Sequence, residues 1–174
     1  MKKIAVFGKP GSGKSTLSKK LAAATGIKLH QLDSIVYKSN GEMVERKIYD
    51  RQHEDILSSD SWIIDGFGPV DSFNMRLEAA DTLIYIDLPY AICYWLVTKR
   101  LLKGLFVKPE GWPGGSSVLK GTMESYKVLK LCPKFWNESF MQRLEAMSAK
   151  KSLHVVRSIY ELNSFVDKIS NKRI

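Results

Sequence analysis

Residues 6–17 read VFGKPGSGKSTL, and Gly8, Gly13, Lys14 and Ser15 stand at the Gly-x4-Gly-Lys-Ser/Thr spacing. Such a loop wraps its backbone N–H groups around a phosphate, which side chains in place of the glycines would obstruct. A helix that starts near Lys14 adds the positive end of its dipole to the same anion. Lys14 has the length and charge to reach β- and γ-phosphates, and the Ser15 hydroxyl is a ligand for Mg²⁺. Gly8, Pro10, Gly11, Ser12, Gly13, Lys14, Ser15 and Thr16 are therefore the expected nucleotide contacts, with ATP and Mg²⁺ as the cofactors.

Asp65 closes the apolar run Trp62-Ile63-Ile64 and is the natural carboxylate of the metal site, its alternative being a turn or capping aspartate. The loop needs a strand before it and a helix after it, and the sequence supplies both. Lys3–Phe7 reads as a buried strand closed by Gly8, and Lys14–Thr25 as a helix stopped by Gly26. A second strand is expected over Ile27–Leu32, ending at Asp33, and a polar helix over Glu45–Ser58 with Ile48, Tyr49, Ile56 and Leu57 on one face. Trp62–Ile64 is the third strand, Ser72–Ala80 a short helix and Thr82–Asp87 the fourth strand. A helix opened by Pro89 runs to about Lys103, Leu153–Val156 is the fifth strand, and Ile159–Ile169 the last helix. Strands alternating with helices indicate an α/β fold with a parallel, doubly wound sheet.

One segment departs from this rhythm. Gly104–Gly121 carries five glycines and two prolines, the composition of a lid or flexible loop inside a single domain spanning 1–174. Leu119, Met123, Tyr126 and Leu129, and then Trp136, Phe140, Leu144 and Met147, read as helix-packing stripes behind it.

Composition narrows the partners. With 27 basic and 18 acidic residues the net charge is +9, which suits nucleotide phosphates, a nucleic-acid backbone or merely a solvated lysine-rich surface. No helix-turn-helix, zinc-knuckle or RNP-like pattern accompanies the charge. Leu83–Val97 is too short and too interrupted, by Asp87 and Pro89, to span a bilayer, so no membrane partner is expected. Cys93 and Cys132 lack metal or disulfide spacing and read as reduced core thiols, and with no leader visible a cytoplasmic location is expected. The histidines His30, His53 and His154 are too scattered to form a metal cluster.

Taken together, the N-terminal phosphate loop, IIDGFG after the third strand and IDLP after the fourth resemble the adenylate-kinase-like P-loop kinases. LHQLDSIVY, SWIIDGFG and MRLEAADTLIYIDLP are most similar to the bacterial DNA topology modulation proteins. The resemblance covers most of residues 1–100 and implies a three-layer P-loop kinase fold, with a five-stranded sheet of order 2-3-1-4-5 and a lid. The implied activity is transfer of the ATP γ-phosphate to a small acceptor, a nucleoside or nucleotide first. A metabolite hydroxyl, in the manner of shikimate or gluconate kinases, is the second reading, and a nucleic-acid-associated ATP-binding protein the third. By position, Arg76, Gly66, Asp33 and Asp65 fall at the acceptor, with Tyr37 and Asn74 beside it. Arg100 starts the lid, where it would stack on the adenine or touch the phosphates in a catalytic role, and Arg157 and Ser158 approach the adenine.

Two departures from the family carry chemical meaning. No arginine lies between Arg100 and Arg143, leaving Lys103, Lys108 and Lys120 as lid cations without a bidentate fork. Asp33 stands where adenylate kinase has a small hydroxyl residue. A nucleoside monophosphate offers an ionised oxygen, whereas an alcohol must lose a proton, and a carboxylate there is placed to accept it. A metal-site or structural aspartate is the other reading of Asp33.

Overall fold

Along the first strand, β1 (Lys3–Gly8), alternate side chains serve two different cores. Ile4 and Val6 pack with Leu17, Leu21, Cys93, Val97 and Phe165 on one side. Ala5 and Phe7 pack with Leu32, Tyr49, Phe73, Leu77 and Phe140 on the other. A strand apolar on both faces belongs in the middle of a sheet covered by helices on both sides, and β1 lies there.

The computed structural model describes residues 1–37, 42–104 and 118–171. After β1 come α1 (Lys14–Thr25), β2 (Leu29–Gln31), α2 (Leu32–Val36), α3 (Arg46–Ser58), β3 (Trp62–Asp65) and α4 (Val70–Ala79). They are followed by β4 (Thr82–Ile86), α5 (Tyr90–Gly104), α6 (Val118–Phe135), α7 (Glu138–Met147), β5 (Ser152–Val156) and α8 (Ile159–Asn171). The five strands form a parallel sheet of order β2-β3-β1-β4-β5, as the resemblance implied. Register sets Val6 opposite Asp65 and Gly8 opposite Ile86, so the phosphate loop, Asp65 and the end of β4 emerge at one edge of the sheet. In open parallel sheets that carboxyl edge is where ligands bind.

Several boundaries differ from the sequence expectation. The second strand is only Leu29–Gln31, and Asp33 lies in the first turn of the five-residue α2 rather than at a strand tip. The reason is local, because Leu32 is buried in the second core and turns the chain inward, closing one turn through Tyr37 N–H to the Asp33 carbonyl at 3.2 Å. The expected loop over 104–121 is helical at both described ends, Gly104 finishing α5 and residues 118–121 opening α6. Its remainder, 105–117, lies outside the described residues. Of the apolar stripe on α6, Leu129 is buried and Tyr126 stacks on Tyr94, but Leu119 and Met123 face solvent. On α3, the buried residues are Tyr49 and His53, while Ile48 is exposed.

Among the described residues, no helix is long and apolar enough to cross a membrane.

Candidate active site

The phosphate loop is shaped by what lies behind it. Gly8 has φ of +150°, and a Cβ there would sit 2.3 Å from the Ile86 carbonyl oxygen on the neighbouring strand. At Gly11, with φ of +73°, a Cβ would meet the Cys93 carbonyl oxygen at 2.7 Å. Both obstacles are backbone, so side chains are excluded at these turns. α1 then begins at Lys14 with no side-chain cap, leaving its first amides available to an anion.

Lys14 turns back into the loop and donates through Nζ to the Lys9 carbonyl at 2.8 Å, while Ser12 N–H donates to the same oxygen at 3.2 Å. Burial lowers the Lys14 pKa from its ordinary value; Asp65, Asp33 and Cys93 oppose that shift and Arg100 reinforces it. Ser15 and Thr16 are exposed at the start of α1.

Asp65, at the end of β3, is 4% exposed. Burial raises its pKa and Asp33 adds to the rise, against Lys14 and side-chain hydrogen bonds from Ser15 and Gln31. Its Oδ1 is buried without a hydrogen-bond partner among the described residues. An unpaired carboxylate oxygen beside an exposed Ser15 hydroxyl suits Mg²⁺. Among the described residues no group of three His, Cys, Asp or Glu side chains is placed to hold a metal ion. The remaining ligands of a cation here would be phosphate oxygens and water.

Asp33 is exposed on α2 and lies within electrostatic reach of Lys14, Asp65 and Arg100. Arg100, on α5, donates from a terminal nitrogen to Ser125 Oγ at 2.9 Å, which ties it to α6. Burial lowers its pKa and Asp33 opposes the shift. Four charged residues from α1, α2, β3 and α5 thus converge at the carboxyl edge of the sheet.

The remaining candidates are dispersed. Arg76 is 1% exposed and lies behind the loop that follows β3, donating to the carbonyls of Gly66 at 3.3 Å and of Phe67. Burial lowers its pKa to about 10, against the pull of Tyr49 and Asp65. Its Nε has no hydrogen-bond partner among the described residues. Tyr37 is exposed and bridges to Met43. The Asn74 Oδ1 accepts a hydrogen bond from Arg143 at 2.9 Å on the surface. Arg157 is exposed at the end of β5, its backbone N–H donating to Glu161 at 2.7 Å, and Ser158 Oγ accepts from Glu161 N–H at 3.1 Å. Leu162, one turn into α8, lies against Gly13, so this junction borders the phosphate loop. Of the expected lid cations, Lys103 and Lys120 lie at the helix ends and Lys108 outside the described residues.

Sequence reasoning gave no role to Lys9 or His53 and placed Tyr49 on an apolar helix face, where the structure buries it. Lys9 is 3% exposed and pairs with Asp87. Tyr49 and His53 stack at 5.7 Å beneath the β3–α4 loop, with Tyr49 Oη and His53 Nε2 both buried and unpartnered among the described residues. Burial depresses the His53 pKa to about 4, aided by Arg76 and opposed by Asp50. One signal was available, since His53 lies four residues after Tyr49 and so shares the helix face that Tyr49 buries.

Strand order, the glycine loop at the end of β1 and the helices on both faces decide the fold. It is that of a P-loop kinase. In agreement, the chain is similar in structure to shikimate kinase from Bacteroides thetaiotaomicron, with a TM-score of 0.57 at 12% identity over 98% of this chain and 97% of that one. A sugar kinase from Janibacter aligns over 98% of this chain and 90% of its own, at 16% identity and a TM-score of 0.43. No protein-family profile and no curated protein sequence matches the chain.

Proposed function

We propose that this protein is an ATP- and Mg²⁺-dependent phosphotransferase acting on a hydroxyl of a small acceptor. The observation that carries this reading is the convergence of Lys14, Asp33, Asp65 and Arg100 around a glycine loop whose helix amides are uncapped.

The phosphate-loop amides from Gly11 to Thr16 and the Lys14 ammonium bind and orient the nucleotide phosphates. Ser15 and Asp65 would hold the cation, and Arg157 and Ser158 border the adenine side. Bound ATP·Mg²⁺ supplies an electrophilic γ-phosphorus. Asp33 orients the acceptor hydroxyl and would accept its proton on a carboxylate oxygen as the new O–P bond forms and the bond from the γ-phosphorus to the β,γ-bridging oxygen breaks, ADP being the leaving group. Lys14 and Arg100 offset the negative charge that develops on the equatorial oxygens. Arg76 acts from behind, fixing the Gly66 and Phe67 carbonyls and so the shape of the acceptor loop. Tyr37 stands at the rim of that side.

A nucleoside or nucleotide acceptor is the first reading, supported by the resemblance of IIDGFG to the acceptor-side stretch of adenylate kinases. A metabolite hydroxyl is the second reading, supported by the likeness to shikimate kinase. In keeping with the resemblance to the DNA topology modulation proteins, we place the protein beside that group and in the cytoplasm.

Incubation with γ-labelled ATP, Mg²⁺ and a panel of nucleosides, nucleotides and polyhydroxy acids tests the proposal. Label should appear in an ester of one acceptor class. Label released only to water would contradict the phosphotransferase reading.

A further inference from the structure

The phosphate loop contains a second lysine that its motif does not require. Lys9 occupies the variable position after Gly8, and its side chain is buried rather than turned to solvent. Its ammonium forms an ion pair with Asp87 Oδ1, at the position immediately after β4. Tyr85 Oη donates to the same carboxylate oxygen at 3.1 Å, and the Tyr90 ring lies 4.8 Å below the ammonium. Asp87 is itself fixed, because its N–H donates to the Val156 carbonyl on β5 at 2.8 Å. The Lys9 side chain is thus anchored on a rigid neighbouring strand. Meanwhile the Lys9 backbone carbonyl receives both Lys14 Nζ and Ser12 N–H.

These two roles meet in one residue. We propose that Lys9 is a positioning residue for the phosphate-binding lysine: anchored on Asp87, it fixes the carbonyl on which Lys14 rests and sets how Lys14 is presented to a nucleotide phosphate. The pair is asymmetric in burial, with Lys9 4% and Asp87 29% exposed in their side chains. An ammonium that deep needs a permanent partner, whereas the carboxylate has access to water. Lys9 is therefore held in place by Asp87, and the loop backbone is held through Lys9. This assignment rests on reading the loop as the ATP site.

The test compares Lys9→Met, which keeps the stem and removes the ammonium, with the double variant Lys9→Met/Asp87→Asn, which removes both charges. Affinity for ATP is measured by calorimetry well below the melting temperature, alongside thermal melts. Losing one charge-assisted tether should weaken ATP binding by about tenfold or more in Lys9→Met. If the tether positions the loop, the double variant recovers thermal stability and keeps the weakened ATP affinity. Recovery of wild-type affinity in the double variant would reduce Lys9 to a neutraliser of Asp87 and overturn the proposal. Unchanged affinity in Lys9→Met, with only a lower melting temperature, would also overturn it by showing a purely structural role. Wild-type protein that binds no ATP refutes the site reading itself, an outcome distinct from either.

Discussion

The donor and acceptor sides of this site differ in how they treat their nitrogen-bearing side chains. On the donor side, the cations are provided for within the chain: Lys14 rests on the Lys9 carbonyl and Lys9 on Asp87. On the acceptor side, Arg76 Nε, Tyr49 Oη and His53 Nε2 are buried and unpartnered among the described residues, as are Asp65 Oδ1 at the cation site and the neutral hydroxyls of Ser12 and Tyr90 on the donor side. Buried polar atoms without partners are costly, and they collect where water, ions or ligands complete a site. The donor half holds its lysines on internal partners and leaves only neutral hydroxyls open, whereas the acceptor half leaves nitrogens of an arginine and a histidine open. Phosphate is the same in every nucleotide, so its cradle can be fixed, whereas the acceptor side carries the specificity.

Apart from the base itself, breaking the donor half should cost most. Lys14→Met removes a charge from the developing phosphoryl oxygens and should lower the transfer rate by about 10²- to 10³-fold, read as label transferred from γ-labelled ATP. An equal loss of rate without any loss of ATP affinity would confine Lys14 to the transition state.

Asp65→Asn separates activity from stability. Its carboxyl has a raised pKa, so the folded state binds the proton more tightly than the unfolded chain, and stability falls as pH rises through that folded pKa. The variant removes the desolvation cost of ionising this buried carboxyl. It should melt higher, by about 2 to 4 °C per kcal/mol recovered, while Mg²⁺-dependent transfer is lost. Thermal melts and a Mg²⁺ titration of transfer check both halves, and a lower melting temperature would show that the Lys14, Ser15 and Gln31 contacts of Asp65 outweigh its burial.

His53 sharpens the acceptor side. Its folded pKa lies near 4 against an ordinary 6.5, so the unfolded chain binds a proton first as pH falls. Stability is lost between those values, by about 3 kcal/mol at most. Arg76 and Asp50 are the charged groups that face it, in opposite senses. Denaturant melts at neutral pH and near pH 4 should show this loss in the wild type and much less of it in His53→Phe. The smallest effect belongs to the surface: Arg143→Ala breaks only the exposed bond to Asn74 and should change stability by less than about 0.5 kcal/mol, with no change in ATP affinity.

How legible each half was follows from how local its causes are. The donor loop is encoded in one stretch of glycines, a lysine and hydroxyls, and the sheet order follows from apolar runs alternating with helices. Asp33 was placed beside the right neighbours but in the wrong element, because a five-residue helix without a capping side chain leaves no periodic pattern. The resemblance put Arg76 at the acceptor, and only the fold shows it buried beneath the Gly66 and Phe67 carbonyls. Lys9 was hidden for a similar reason, its partner Asp87 being 78 residues away. Long-range ion pairs have no local signature, so the resting state of the loop was invisible where its motif was plain.

Asp33→Asn tests the central claim most directly, with ATP affinity, Mg²⁺ dependence and label transfer measured on one preparation. The account predicts ATP affinity and Mg²⁺ dependence within about twofold of wild type and transfer to the acceptor hydroxyl lowered by about 10²- to 10⁴-fold. Transfer at the wild-type rate, or a loss of transfer matched by a loss of Mg²⁺ dependence, would contradict Asp33 as the base.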